Sequence, residues 1–228
     1  MLNIVAIIPT LDEASAIRAC LEPLAAEGAR IIVADGGSRD ATAQIARAAG
    51  ATVIEAARGR ASQMNAGADR AGDADVLLFV HADTRLPAGW RASIERALAA
   101  GAHWGRFDVR LDASSAALRL VGTMMNLRSR LSGICTGDQA LFMRADAWRR
   151  RGPYAAIPLM EDVELSRRYK HAEGRPAALR ARVLVSARRW ERHGVLRTIA
   201  LMWLLRAMYF FGTSPETIHR LYYGSLAR

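Results

Sequence analysis

The sequence predicts one α/β domain built on a mostly parallel central sheet flanked by helices, with a helical extension at its C-terminal end. Three observations predict it: short apolar runs alternate with alanine-rich segments through residues 4–100, acidic residues stand directly after three of those runs, and the chain beyond residue 190 reads only as helix. A length of 228 residues with 51% hydrophobic residues suffices for one buried core.

Residues 4–8 form a continuous apolar run ended by Pro9, the pattern of a strand buried on both faces. Residues 31–34, 53–54 and 76–80 repeat it, and residues 14–26, 41–49, 61–71 and 89–100 supply helices between and after them. Such alternation points to a parallel sheet with helices on its faces. After Gly101 the pattern changes: Phe107, Val109 and Leu111 alternate with Arg106, Asp108 and Arg110, the period of a strand with one wet face. Residues 139–143 and 182–187 read as further strands, and 116–131, 162–171, 196–211 and 215–223 as helices. With no repeat or flexible linker, the chain divides into a domain over 1–190 and an extension over 191–228, packed on the domain, a partner subunit or a membrane surface. Leu201, Met202, Leu205, Met208 and Tyr209 recur at helical spacing, and burial against protein is the favoured reading of that stripe.

Only Cys20 and Cys135 are present, far apart, which suits a reducing cytoplasm better than a disulfide scaffold. The opening residues lack a basic segment before their apolar run and read as a strand, not a signal peptide. Residues 195–211 are interrupted by Arg197 and Arg206 and are short for a span. A cytoplasmic protein is expected, with peripheral contact to the inner face of the membrane left open. The net charge of +10 suits nucleic acid, an anionic membrane or anionic small substrates, and a genome rich in G and C explains part of the arginine excess equally well.

In an open parallel sheet, ligands bind beyond the carboxyl ends of the strands. There stand Pro9-Thr10-Leu11-Asp12-Glu13, Asp35-Gly36-Gly37-Ser38-Arg39-Asp40 and His81-Ala82-Asp83-Thr84. A helix cap or tight turn explains each alone. Carboxylates gathered at one edge repel one another unless cations or hydrogen-bond donors are present, so their joint placement points to a site. Neither a nucleophile elbow nor a Gly-Lys-Ser phosphate loop occurs. His103, His171 and His219 lack zinc spacing, and His193 reads as a surface histidine with metal ligation as the alternative.

Together with Gly137-Asp138-Gln139 and Glu161-Asp162, this series resembles the family 2 glycosyltransferases, which have the GT-A fold. Gly59 to Asn65 and Arg188-Arg189-Trp190 are similar to a small bacterial branch of that family whose acceptors are poorly defined. The resemblance implies an inverting transfer from a nucleotide-diphosphate sugar, most often uridine-linked, to an acceptor hydroxyl, with a lipid-linked acceptor left open. It places Glu13 and Asp35 at the nucleotide, Asp35 accepting from the base, with Pro9, Thr10, Gly36, Gln63, Asn65, His81 and Ala82 completing that set. Asp83 would hold Mn²⁺ or Mg²⁺. Asp162 would be the general base, with Glu161 as competitor. Asp138, Gln139, Arg189 and Trp190 would lie by the transferred sugar and the acceptor. His81 and Gly36 each replace an aspartate of the family's pattern, and Asp12 stands where it often has asparagine. A homodimer stays open, and no nucleic acid is expected. The alternative is a non-catalytic basic α/β protein binding nucleic acid or an anionic membrane; the acidic edge argues against a phosphate polymer.

Overall fold

The computed structural model describes residues 1–226. Strand β1 (Ile4–Thr10) is buried at all seven positions because it feeds two cores. Ile4, Ala6 and Ile8 point to one, and Val5 and Ile7 to the other. On the first side, α1 (Ile17–Ala26) contributes Ile17, Cys20, Leu21 and Leu24. On the second, α3 (Arg60–Asp69) lays Ala61, Met64 and Ala68 against the strand. It approaches so closely that a side chain at Gly67 would collide with Ile7.

Strands β2 (Arg30–Asp35), β3 (Thr52–Glu55) and β4 (Val76–Phe79) complete the parallel half, β2 and β4 lying on opposite sides of β1. Helix α2 (Thr42–Ala48) links β2 to β3. The chain thus winds away through β2 and β3 and returns across β1 to β4, which makes the carboxyl ends of β1 and β4 the topological switch point.

The second half extends the same sheet. After the short β5 (Thr84–Arg85) and helix α4 (Trp90–Ala99) come β6 (Trp104–Asp112), helix α5 (Ala116–Ser132), a 3-10 turn at Gly137–Gln139 and β7 (Leu141–Arg144). Helices α6 (Ala145–Arg151) and α7 (Glu161–Glu173) precede β8 (Ala177–Ser186). The order is β3-β2-β1-β4-β7-β6-β8-β5. Strand β7 runs antiparallel to β4 and β6, β8 parallel to β6, and β5 antiparallel to β8. The β5–β8 pairing brings the chain after Asp83 to that before Arg188, with the Ser186 N–H donating to the Asp83 carbonyl at 3.2 Å.

Two expectations are corrected here. Strand β6 has no broad wet face: Arg106 and Asp108 are buried beneath α5, paired with each other, while Arg130 donates to Asp108 at 2.8 Å. Asn126 of α5 clips the same strand, its amide bonding both the N–H and the carbonyl of Val109. Alternation reported the pleat, but a covering helix with its own polar partners made the charged side interior. Gln139, expected to open a strand, instead lies in the 3-10 turn.

Beyond β8 follow α8 (Arg188–His193), α9 (Val195–Phe210) and α10 (Pro215–Leu226). Leu205, Ile218 and Tyr222 join Met160 in a third small core, onto which Leu201, Met202, Met208 and Tyr209 pack. The stripe read from sequence is therefore an inward face. Helices α9 and α10 pack through this core on Met160, Leu159 and Val163, and residues 227 and 228 lie outside the described ones.

Candidate active site

A cleft of about 1030 Å³ opens at the switch point. Pro9, Thr10 and Glu13 reach it from the end of β1, and His81, Ala82 and Asp83 from the end of β4. Asp138 lines it from the 3-10 turn, and Arg189 and Trp190 from α8. Residues far apart in the chain meet there because the parallel strands deliver their carboxyl ends to one edge.

Asp35 sits under this wall, buried. Its carboxylate accepts from the Thr10 hydroxyl at 3.1 Å, the Ser38 hydroxyl, and the N–H groups of Gly37 (3.3 Å) and Ser38 (3.0 Å). Those four donors fill the acceptor positions of a carboxylate, so a nucleotide base reaches Asp35 only when a hydroxyl turns away. Gln63 braces the same corner: its amide nitrogen donates to the carbonyls of Thr10 (2.7 Å) and Ala34 (2.8 Å), tying the ends of β1 and β2. Gly36 is the residue that leaves room for this brace, since a Cβ there would lie 3.0 Å from the Gln63 amide nitrogen.

Asn65 and Gln139 do not reach the cleft wall. The Asn65 amide bonds both the N–H and the carbonyl of Tyr154 at 2.9 Å, which spends it on loop anchoring. Gln139 is fully buried and accepts from the Thr136 N–H at 3.1 Å.

His81, standing where the family has its first aspartate, turns to Asp138, with Nδ1 3.3 Å from Oδ1. Its ring rests on Gly137, where any Cβ would collide with it. Although burial acts to raise the Asp138 carboxyl, His81, Arg189 and Arg60 hold it well below the usual carboxylate range.

Arg188 spans the two outer carboxylates, its Nη2 lying 2.8 Å from Glu13 and 3.8 Å from Asp83. Among the described residues no group of three or more His, Cys, Asp or Glu side chains could hold a metal ion. A hard cation of the Mg²⁺ or Mn²⁺ type is commonly held by one or two carboxylates with the remaining oxygens from substrate phosphates. Glu13 and Asp83 are the cleft-wall carboxylates beside Arg188, and Asp83 is the one it holds less closely.

The acidic pair opening α7 lies behind the wall. Asp162 is half-buried, its Oδ2 accepting from the Gly137 N–H at 2.8 Å and its Oδ1 from the Val163 N–H at 2.7 Å. Glu161 is buried, and that burial, reinforced by the charge of Asp162, pushes its carboxyl up to about 7 against the opposing pull of Arg60 and His81.

A family model described as glycosyl transferase family 2 matches residues 5–150. The chain belongs to that family. It is a glycosyltransferase, moving a sugar from a nucleotide-diphosphate sugar to an acceptor. No curated protein matches it. Among solved structures it is similar to glucosyl-3-phosphoglycerate synthase from Mycobacterium tuberculosis in complex with Mn²⁺, uridine diphosphate and glucosyl-3-phosphoglycerate, at 17% identity and a TM-score of 0.60 over 81% of this chain and 71% of that one. It is also similar to S. aureus TarS 1-349, at 14% identity and a TM-score of 0.66 over 84% of this chain and 62% of that one. At these identities the likeness shows the shared GT-A fold.

Sequence reasoning missed part of this glycosyltransferase's cleft. Arg58, Arg60, Arg188 and Arg192 line it, as do His219 and Tyr223 of α10. Arg60 follows Gly59, whose φ of 134° starts α3, so the glycine before a helix could have flagged it. Nothing local signals that α10 returns to the cleft, where Arg189 stacks over the Tyr222 ring at 5.6 Å.

Proposed function

We propose that this glycosyltransferase inverts configuration at the anomeric carbon of a uridine-diphosphate sugar, with Asp162 as general base and Asp83 as the carboxylate for Mn²⁺ or Mg²⁺. One observation carries it: Asp162 is hydrogen-bonded to Gly137, the neighbour of cleft-lining Asp138, while Asp83 lies in the same wall beside Arg188. Asp162 stands behind the wall that Asp83 lines, joined to it through the turn at Gly137 and Asp138.

The Gly137 and Val163 N–H groups orient the Asp162 carboxylate, and its unused lone pairs can take the acceptor's hydroxyl proton. As that oxygen bonds to the anomeric carbon, the bond from this carbon to the diphosphate oxygen breaks and the nucleoside diphosphate leaves with the electron pair. A single displacement needs no enzyme nucleophile. Arg188, released from Glu13 and Asp83, is placed to pair with the diphosphate, and a bound cation would neutralise charge on the departing nucleotide. Gln63 and Asp35 hold the nucleotide corner in shape. Trp190, partly packed on the core, offers its remaining face to a sugar. The acceptor is a hydroxyl compound; glucosyl-3-phosphoglycerate synthase, which shares the fold, binds phosphoglyceric acid.

Asp162→Asn should bind uridine diphosphate with unchanged affinity in calorimetry while transfer falls about 10²- to 10⁴-fold. Glu161→Gln should retain most transfer. The opposite pattern would move the base to Glu161.

A further inference from the structure

We propose that α5 and α9 form an apolar, exclusively basic face that docks on an anionic lipid bilayer. The observation is distinct from the inward stripe of α9. With Leu201, Met202, Leu205, Met208 and Tyr209 turned to the third core, the opposite side of α9 still shows Leu196, Trp203, Leu204 and Phe210, with Phe211 following; Phe210 is 83% and Trp203 60% exposed. A helix apolar on all sides is at home only where both sides are covered.

Helix α5 repeats the feature. Leu120, Met124, Leu127 and Leu131 follow one another at helical spacing and are exposed, Leu131 at 71%. Its other side is committed to β6 through Leu118, Val121 and Asn126. The two helices share a core: Leu118 and Val121 of α5 belong to the first core, and Met125 of α5 and Val195 and Ile199 of α9 pack against it. Exposed apolar area on this scale marks a surface that meets something other than water.

Charge selects the occupant. Neither α5 nor α9 contains an aspartate or glutamate, while Arg119, Arg128, Arg197 and Arg206 lie on them beside Arg130, whose charge is met by Asp108. Arginine beside a tryptophan and leucine face is the composition of a helix lying in the plane of an anionic interface. A second copy fits less well, because a two-fold interface would set these basic helices against their own kind with no carboxylate on either. No helix among the described residues is long and apolar enough to cross a membrane, so the contact would be peripheral. The proposal does not depend on the chemistry in the cleft.

The test is co-sedimentation of the whole chain with vesicles of phosphatidylcholine alone and of phosphatidylcholine mixed with phosphatidylglycerol, at low and high salt. Retention should require phosphatidylglycerol and weaken with salt. Leu204→Glu with Phe210→Ser, and separately Leu127→Glu, should each reduce retention about tenfold or more while leaving the thermal shift with uridine diphosphate unchanged. No retention at low salt, equal retention on both vesicles, or retention untouched by these variants would overturn the proposal. So would a dimer in solution that the same variants turn to monomer without any lipid binding.

Discussion

His81 Nδ1 lies 3.3 Å from Asp138 Oδ1, and the ring rests on Gly137. A histidine in place of the family's aspartate therefore ties the end of β4 to the 3-10 turn that also holds Asp162 through the Gly137 N–H. An aspartate at position 81 would face Asp138 as a like charge. Its restoration in this chain should cost stability.

His81→Asp should lower unfolding free energy in urea by about 1 kcal/mol, the size expected for a partly exposed pair. His81→Asp combined with Asp138→Asn should recover most of it. Equal stability of the single variant and the parent would show that the pair does not hold the turn.

Gln63→Ala removes one amide nitrogen from two carbonyls at the ends of β1 and β2. Leaving buried acceptors without a donor should cost about 3 kcal/mol. The denaturation midpoint should fall accordingly, and affinity for uridine diphosphate should fall with it because Asp35 and Thr10 lose their fixed corner.

Glu161 carries a folded-state carboxyl raised to about 7 from an ordinary 4.5. Between those values the folded chain binds more protons than the unfolded one, so the contribution of this group to stability falls as pH rises from about 4.5 to 7 and stays low above. The loss amounts to about 3 kcal/mol at most. Glu161→Gln should therefore raise the melting temperature far more at pH 8 than at pH 5. A gain of the same size at both would separate the effect from ionisation.

Arg188 lies between Glu13 and Asp83, so a cation bound by these carboxylates would compete with it. Arg188→Gln should tighten Mn²⁺ binding without nucleotide about tenfold, read as loss of the free Mn²⁺ resonance signal. It should also weaken uridine diphosphate binding, since the same guanidinium is placed for the phosphates. Unchanged Mn²⁺ affinity would mean that Arg188 does not guard Asp83.

Much of the fold was legible. The runs ended by Pro9, Asp35 and His81 are strands β1, β2 and β4, with Val80 just past the last, because buried parallel strands are written as continuous apolar sequence. The motifs after β1 and β4 line one cleft, and Asp35 after β2 sits beneath its wall, for the same reason. Less legible were Gln63 and Asn65, which match a motif yet spend their amides on backbone. The buried pair Arg106 and Asp108 was hidden too, since nothing local tells that α5 will cover a charged face with partners of its own. The outward face of α9 escaped because both sides of that helix are apolar, and periodicity is silent when there is no polar side to contrast.

The sequence by itself determined the alternation of strands and helices, the edge at which carboxylates gather and the family to which the chain belongs. These are properties of short segments, set by side-chain period, proline and glycine. Only the tertiary structure decided which carboxylates are free to act: Asp35 saturated by Thr10 and its own turn, Asp138 claimed by His81, Asp83 shadowed by Arg188 from a distant part of the chain. Hydrogen bonds and ion pairs act over a few ångströms in space, and which partners come within that reach depends on how distant segments meet.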